Sequence, residues 1–419
     1  MTDFALGREL MLAVGYEHVE ELDTGNYRVT PGSPTEVAEV IRRVGAHKAA
    51  VHPLGAGGRP QRVVLAPGES ERQRVYLSTK RLDQVVQLDE TSLLVHAQVG
   101  LTGLDLERIL SPRGLSIGDY PPVVLTSSLG GIIAVRTPGK SSARHGFFED
   151  AVVGVSAVLA DGRSVHTRIA PRRSTGPDLA RVLCGSEGTV GFITSVVLRI
   201  HRKPEARLVA AYVLPSVDAA VKAVYLALRE EAAPSGLRIY DAAEARLHFD
   251  GLVLPAGHAL LCAGTAGPTD LCACDRDLIT SAVLAEGGSV TETSLADLWW
   301  RRLHAGEPTP GPSPSLQVMA TPSKLRPVYR AVIDHAISHG ATARAHVSRF
   351  DADGAVMFFT ILVDGGETAP AATISACEKA AEAAGGWLLG ARATKLDSYL
   401  RALREAIDPD RIMNPGTLA

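Results

Sequence analysis

The chemistry this sequence can do is concentrated in glycine-rich runs and in a few histidines and arginines. The run Gly185-Ser186-Glu187-Gly188-Thr189-Val190-Gly191 combines three glycines, which permit positive φ and close backbone approach, with the hydroxyls of Ser186 and Thr189. It is preceded by Arg173-Ser174-Thr175-Gly176-Pro177-Asp178 and leads into Phe192-Ile193-Thr194-Ser195-Val196-Val197-Leu198-Arg199-Ile200, β-branched and alternating enough to be a strand. Taken alone, such a turn is more often a hairpin or a bulge than a ligand site. A second run, Pro53-Leu54-Gly55-Ala56-Gly57-Gly58-Arg59, follows a short buried strand around Val51 and His52. Its side-chain-free N–H groups can converge on a pyrophosphate while Arg59 adds charge. It lacks a third glycine and a ribose-binding acid at the Rossmann offsets, which disfavours a dinucleotide fold of that kind.

Between these runs lie Ser127-Ser128-Leu129-Gly130-Gly131, then Arg136-Thr137-Pro138-Gly139, then Arg144-His145-Gly146 followed by Asp150. Small-residue loops punctuated by strands would wrap one extended ligand. In this order the chain resembles the FAD-binding oxidoreductases of the vanillyl-alcohol oxidase and p-cresol methylhydroxylase type. Within them it is most similar to alkyl-dihydroxyacetone-phosphate synthase, through Ser174 to Asp178 and through Ala233-Pro234-Ser235-Gly236-Leu237-Arg238-Ile239-Tyr240-Asp241. The terminal Asp408-Pro409-Asp410-Arg411-Ile412-Met413-Asn414-Pro415-Gly416 looks like the family's closing turn.

The resemblance implies an α+β protein, with a two-subdomain FAD-binding domain over residues 1–205 and an α+β cap domain with an antiparallel sheet over 206–375. Residues 376–419 would return to the FAD domain. It also implies non-covalent FAD, held by Pro53, Leu54, Gly55, Ala56, Gly57, Gly58, Arg59, Ser127, Ser128, Gly130, Gly131, Arg136, Thr137, Gly139, Arg144, Gly146, Glu187, Gly188, Gly191 and Ile193. A flavin accepts electrons from a carbon held over its ring, and the protein contributes position, a base and charge. The candidates for those tasks are Tyr120, Arg136, His145, Arg238, His346, Arg349 and Arg392. Arg238 matches a substrate-site arginine of the synthase, and Arg349 stands where relatives keep an imidazole. For Arg238 a plain surface-strand arginine, and for His145 a satisfied structural histidine, remain the competing readings.

Two departures from the synthase pattern matter. Its catalytic tyrosine aligns with Phe358, and its three-histidine run is replaced after Gly385-Gly386 by Trp387-Leu388-Leu389-Gly390-Ala391-Arg392. Neither Phe nor Gly-Ala-Arg reproduces those proton carriers. Three functions stay open: an FAD-dependent dehydrogenase or oxidase for a small, acidic, specialised metabolite; a redox-neutral flavoenzyme that forms a substrate–flavin adduct; and a flavin fold with a degenerate site. In the first, Arg238, Arg349 and Arg392 anchor an anion and His145 or His346 serves as base.

The elements that must position these groups are legible in outline. Residues 1 to about 45 read as two helices, the second opened by Ser33-Pro34-Thr35-Glu36 as a capping box. Strands and loops then dominate to Pro204, interrupted by a helix near Gly103–Leu110. Beyond Leu208 the pattern becomes α+β, with strands at 208–213 and 259–262, helices through Ala219–Glu231 and Leu278–Ala285, and a last helix from about Tyr399 to Ile407. The run Gly306–Pro314 is too proline-rich to be regular.

At 419 residues, with 21% charged residues and a net charge of −3, the chain has the core-forming capacity of two or three domains and no nucleic-acid or anionic-membrane footprint. No 18-residue apolar run or basic leader is evident, so a cytoplasmic location is the default. The expected partners are a small-molecule substrate and, at most, a second copy in a homodimer. Of the five cysteines, Cys184, Cys262, Cys272, Cys274 and Cys377, the one close pair, Cys272-x-Cys274, reads as small buried thiols at the start of a helix, and neither a metal nor a structural disulfide is expected.

Overall fold

The computed structural model describes the chain apart from residues 1–3, 24, 57, 59–71, 119–125, 137–141, 170–177, 306–310, 390–397 and 418–419. Helix Pro34–Ala46 begins as its sequence dictates, with the Ser33 hydroxyl accepting from the Glu36 amide at 3.1 Å. The Glu36 carboxylate closes the reciprocal bond one residue earlier than expected, on the Gly32 amide at 2.8 Å. Its apolar face, Val37, Val40, Ile41 and Val44, joins helix Phe4–Val14 in one core. A hairpin, Val19–Asp23 with Asn26–Val29, lies between the two helices where no strand was expected. Val-Glu-Glu-Leu-Asp buries almost nothing as an edge strand, so it carries no strong apolar alternation.

The flavin half has two main sheets. One is four-stranded and contains the parallel neighbours Ala50–Leu54 and Arg74–Ser78; the other is a five-stranded antiparallel sheet centred on Phe192–Arg199. Helices Gly103–Leu110 and Leu129–Ala134 are both opened by hydroxyl caps, Thr102 and Ser128.

The cap is an eight-stranded antiparallel sheet in the order Ser289–Val290, Ala206–Leu214, Ala259–Gly267, Gly236–Asp241, Thr342–Ser348, Ala355–Leu362, Leu316–Ala320, Trp387–Leu388. Residues alternate between its faces. Leu237, Ile239, Ala345, Val347, Met357 and Phe359 point to the main cap core, which takes in helices Val217–Arg229, Thr269–Ala285, Pro322–Ser338 and Ala371–Ala383. Their neighbours Arg238, Tyr240, His346 and Phe358 point the other way. There Tyr240 and Cys262 meet Trp299 and Leu303 of helix Thr293–Ala305. The architecture is the expected α+β one, a two-part FAD-binding half with an antiparallel cap.

Two details differ from expectation. Residue 376 falls inside helix Ala371–Ala383, and the strand that follows, Trp387–Leu388, pairs with Leu316–Ala320 of the cap sheet. The chain then returns to the flavin half through helix Ser398–Ile407 and the turn beyond it, where Met413 bridges to Val51. The second is Cys274, which is exposed, because the N-terminal part of helix Thr269–Ala285 turns only Cys272 inward; the other four cysteines are buried and all five are free.

Candidate active site

Because Ala50–Leu54 and Arg74–Ser78 run parallel, the residues that follow them, Gly55 and Thr79, emerge at the same sheet end. The carboxyl ends of parallel strands are where open sheets hold ligands. A cavity of about 210 Å³ opens there, lined by Pro53, Leu54, Gly55, Gly130, Gly131, Glu187, Gly188, Gly191 and Ile193, all expected from sequence. Thr79, Ala134, Val135, Phe192 and Asn414 line it as well and were not singled out in the sequence.

The lining lets a ligand come close to the backbone and offers it one unpaired hydroxyl. A Cβ on Gly55 would lie 2.5 Å from Ser128 Oγ, and one on Gly188, whose φ is +78°, would lie 2.7 Å from Pro53 Cγ. Thr79 Oγ1 is buried with no hydrogen-bond partner among the described residues. Such an orphan is costly unless a ligand group or water meets it. Gly130 and Gly131 contribute room rather than donors, since their amides already bond Val99 O and Ser128 Oγ.

Asn414 ties the loops together. Its amide donates to Val51 O at 2.7 Å and its side-chain Nδ2 to Glu187 O at 2.6 Å, while its Oδ1 lies 3.1 Å from Nδ1 of His52. The closing turn thus belongs to the cleft, although an Asn-Pro-Gly run in sequence says only "turn".

The other expected FAD residues are placed differently. Ala56 and Gly58 are exposed on the turn after Leu54. Ser128 caps helix Leu129–Ala134, and the Ser127 carbonyl accepts from the Gly103 amide at 3.3 Å. Arg136, at φ +48°, donates to Cys184 O at 3.1 Å, bracing the Gly185 loop from behind. Gly146, at φ +73°, makes the turn into Phe148–Ala151. Arg144 points to the cap, with Nη1 3.2 Å from Ala233 O and 3.8 Å from Asp275, so its guanidinium joins the halves. Gly57, Arg59, Tyr120, Thr137, Gly139, Arg173–Pro177 and Arg392 lie outside the described residues.

On the cap face, Arg238, His346 and Arg349 come together. Tyr240 opposes His346, and His346 opposes Phe358, in adjacent strands. The His346 and Phe358 rings stack at 4.7 Å and 10°, and the Arg349 guanidinium sits 4.9 Å over Phe358. Arg238 lies 5.8 Å over the Tyr240 ring, with its Nε buried and unpartnered among the described residues. Arg349 adopts φ +57°, a left-handed conformation that a non-glycine residue holds only when its surroundings impose it. Burial and the Arg238 charge push Arg349 down to about 10.

Behind His346 lies Glu244, to which no motif in the sequence points. Asp241 caps helix Ala242–His248 by accepting from the Glu244 amide at 2.8 Å, and its second oxygen accepts from the Ala345 amide at 2.6 Å. Helix and strand are thereby locked, and Glu244 Oε1 meets both His346 Nδ1 and His248 Nε2 at 3.2 Å. Arg344 Nε lies 2.7 Å from Oε2. Burial lowers His346 to about 4, the Arg238 charge adding to that and the Glu244 hydrogen bond opposing it. Glu244 is held well below the usual carboxylate range by its bonds to the two imidazoles, which outweigh its burial.

His145 does not join this group. Its ring lies 4.2 Å from that of His201, and burial, with His201 and Arg144, lowers it to about 3.

Residues 26–168 match the FAD binding domain family and residues 203–391 the C-terminal domain of the FAD linked oxidases. The chain belongs to the FAD-linked oxidoreductases. This flavoprotein is 30% identical over 213 residues to the alkyldihydroxyacetonephosphate synthase of Caenorhabditis elegans, covering 51% of this chain and 36% of that protein. It is 31% identical over 198 residues to the mitochondrial D-lactate dehydrogenase [cytochrome] of Arabidopsis thaliana, covering 47% and 34%. The matched segment thus spans only about a third of each of these relatives. Among solved structures, p-cresol methylhydroxylase with substrate bound superposes at a TM-score of 0.71, with 14% identity, over 99% of this chain and 96% of that one. An alkyldihydroxyacetonephosphate synthase structure does so at 0.71 and 22% identity, over 93% and 76%. At these identities the superpositions speak for the fold. No helix among the described residues is long and apolar enough to cross a membrane.

Proposed function

We propose that the flavoprotein is an FAD-dependent dehydrogenase or oxidase of a small anionic metabolite, a carboxylate or a phosphate. One observation carries this reading. Arg238 and Arg349 stand together on the Tyr240 and Phe358 face of the cap sheet, close enough for Arg238 to depress Arg349, and neither has a carboxylate partner among the described residues. Two desolvated guanidiniums without a counter-charge are expensive, and a bound anion would supply it with bidentate geometry.

FAD, held in the cleft of Gly55, Thr79, Gly130, Gly188 and Asn414, supplies the two-electron acceptor. Arg238 and Arg349 orient the anionic end of the substrate. His346 is uncharged at neutral pH and takes the proton that leaves the oxidised carbon's hydroxyl. The D-lactate dehydrogenase among the relatives is consistent with a hydroxy-acid substrate. Phe358, which has no proton to move, speaks against the redox-neutral exchange of the synthase.

The test is an anaerobic titration of the purified flavoprotein with small hydroxy-carboxylates, phosphorylated alcohols and their uncharged counterparts. Bleaching of the flavin by an anionic compound, with reduction of an added dye, is expected. Bleaching by uncharged alcohols or phenols alone would overturn the reading.

A further inference from the structure

We propose that Glu244 is a positioning residue that fixes the proton of His346 on Nδ1 and leaves Nε2 as the basic nitrogen. The inference rests on the reading of His346 as proton acceptor and deepens it. An ionised carboxylate only accepts hydrogen bonds, so each nitrogen that meets Glu244 Oε1 must present N–H. That assigns the proton to Nδ1 in His346 and to Nε2 in His248, both 3.2 Å from the same oxygen. A histidine whose one nitrogen is held by a carboxylate is fixed in tautomer and ring orientation, and its other nitrogen gains basicity.

The placement of Glu244 is built rather than incidental. It follows the Asp241 cap by three residues, shares a helix face with His248 four residues on, and is 3% exposed. Arg344 and His346 reach it together because they are two apart on one strand and so share a face. The pattern in sequence, Asp241-x-x-Glu244-x-x-x-His248, resembles an ordinary capped helix and gives no hint of a partner 102 residues away.

The charged and titratable groups that face His346 come from three elements, and among them Glu244, Arg238 and His248 act on its proton. Glu244 and His248 come from helix Ala242–His248, Arg238 and Tyr240 from the neighbouring strand, and Arg344 and Arg349 from its own strand and the turn beyond; Phe358 closes the opposite strand. Burial, the Arg238 charge and His248 make a protonated imidazole costly. Glu244 is the group in the set that opposes these causes.

Histidine ring-nitrogen NMR on the 15N-labelled holoprotein at neutral pH, assigned by loss of the signal in His346→Gln, tests this without substrate. Nδ1–H with a bare Nε2 is expected, and a proton found on Nε2 would overturn the proposal. In Glu244→Gln the charge is lost, so the acid limb of kcat/KM should move to lower pH, with kcat down about 10²-fold and KM within a few fold. An unmoved limb with kcat and KM equally altered would mark Glu244 as merely structural and also overturn it. Wild-type turnover by His346→Gln would instead remove the base assignment, while the NMR result still decides whether Glu244 sets the tautomer.

Discussion

His346 and Phe358 stack across adjacent antiparallel strands, ring centroids 4.7 Å apart and planes within 10° of parallel. The pairing puts an aromatic ring that cannot donate or accept a proton beside an imidazole that can. Arg349 covers the same Phe358 ring at 4.9 Å, so this phenyl group lies against both the Arg349 guanidinium and the His346 imidazole.

It follows that alkyl-dihydroxyacetone-phosphate synthase activity should be absent. A positioned acid–base group is worth about 10² to 10⁴ in rate, and a tyrosine hydroxyl at Phe358 is one such group. Incubation with an acylated dihydroxyacetone phosphate and a fatty alcohol should give no ether product above background. Product at an appreciable rate would show that His346 alone suffices for the exchange.

Arg238→Ala should weaken substrate binding and flavin reduction together, by about 1.5–3 kcal/mol for a lost charge-assisted contact, and leave FAD content unchanged. The guanidinium stands over Tyr240 on the cap and not in the cofactor cleft. Its removal should also raise the pKa of His346, because the Arg238 charge is one of the causes that lower it. The acid limb of kcat/KM should therefore move up in pH in this variant, opposite to the shift expected for Glu244→Gln. A limb that stays in place would separate Arg238 from the base.

Sequence and structure agree where local chemistry decides the outcome. The Ser33 cap, the glycine loop at 185–191 and the strand Phe192–Arg199 are written in consecutive residues. Arg238 and His346 were recognisable by type and by resemblance, and strand pairing alone brings them together. Glu244, Thr79 and Asn414 were not legible for the same physical reason. Each gains its role from partners far away in the chain: His346 for Glu244, the parallel strand Ala50–Leu54 for Thr79, and Glu187 for Asn414. Arg136 and Arg144 show the converse, since an arginine within a family motif can serve a neighbouring carbonyl, here Cys184 O and Ala233 O, as readily as a phosphate.

Gly188→Val should yield apoprotein. The backbone there has φ +78°, which a β-branched residue strongly resists, and the new Cβ would press on Pro53 at 2.7 Å across the cleft. Flavin absorbance of the purified variant measures the outcome, and a full complement of FAD would place the cofactor elsewhere. Cap-side changes such as Arg238→Ala serve as the control, because they leave this loop intact.

Stability should fall as pH is lowered from about 6.5 towards 4. His145 and His346 are held at about 3 and about 4 mainly by burial, so in that window the unfolded chain binds protons that the native state refuses. A group with a depressed native pKa gives stability that is present above its unfolded value and lost as pH falls, at about 1.4 kcal/mol per pH unit for each histidine. Asp241 works against this. Burial raises it to about 6, so its native state gains protons over much of the same window and it cancels roughly one histidine. These three groups together contribute a loss of about 1.4 kcal/mol per pH unit between pH 6 and 4, to which His52, His96 and His201, also lowered by burial, add in the same direction, while Asp351, raised by burial, opposes. Denaturant melts across that range should show it, and replacing both histidines by Gln should remove their share and flatten the dependence by about 2.8 kcal/mol per pH unit. A double variant with an unchanged pH dependence would mean that other groups govern acid unfolding.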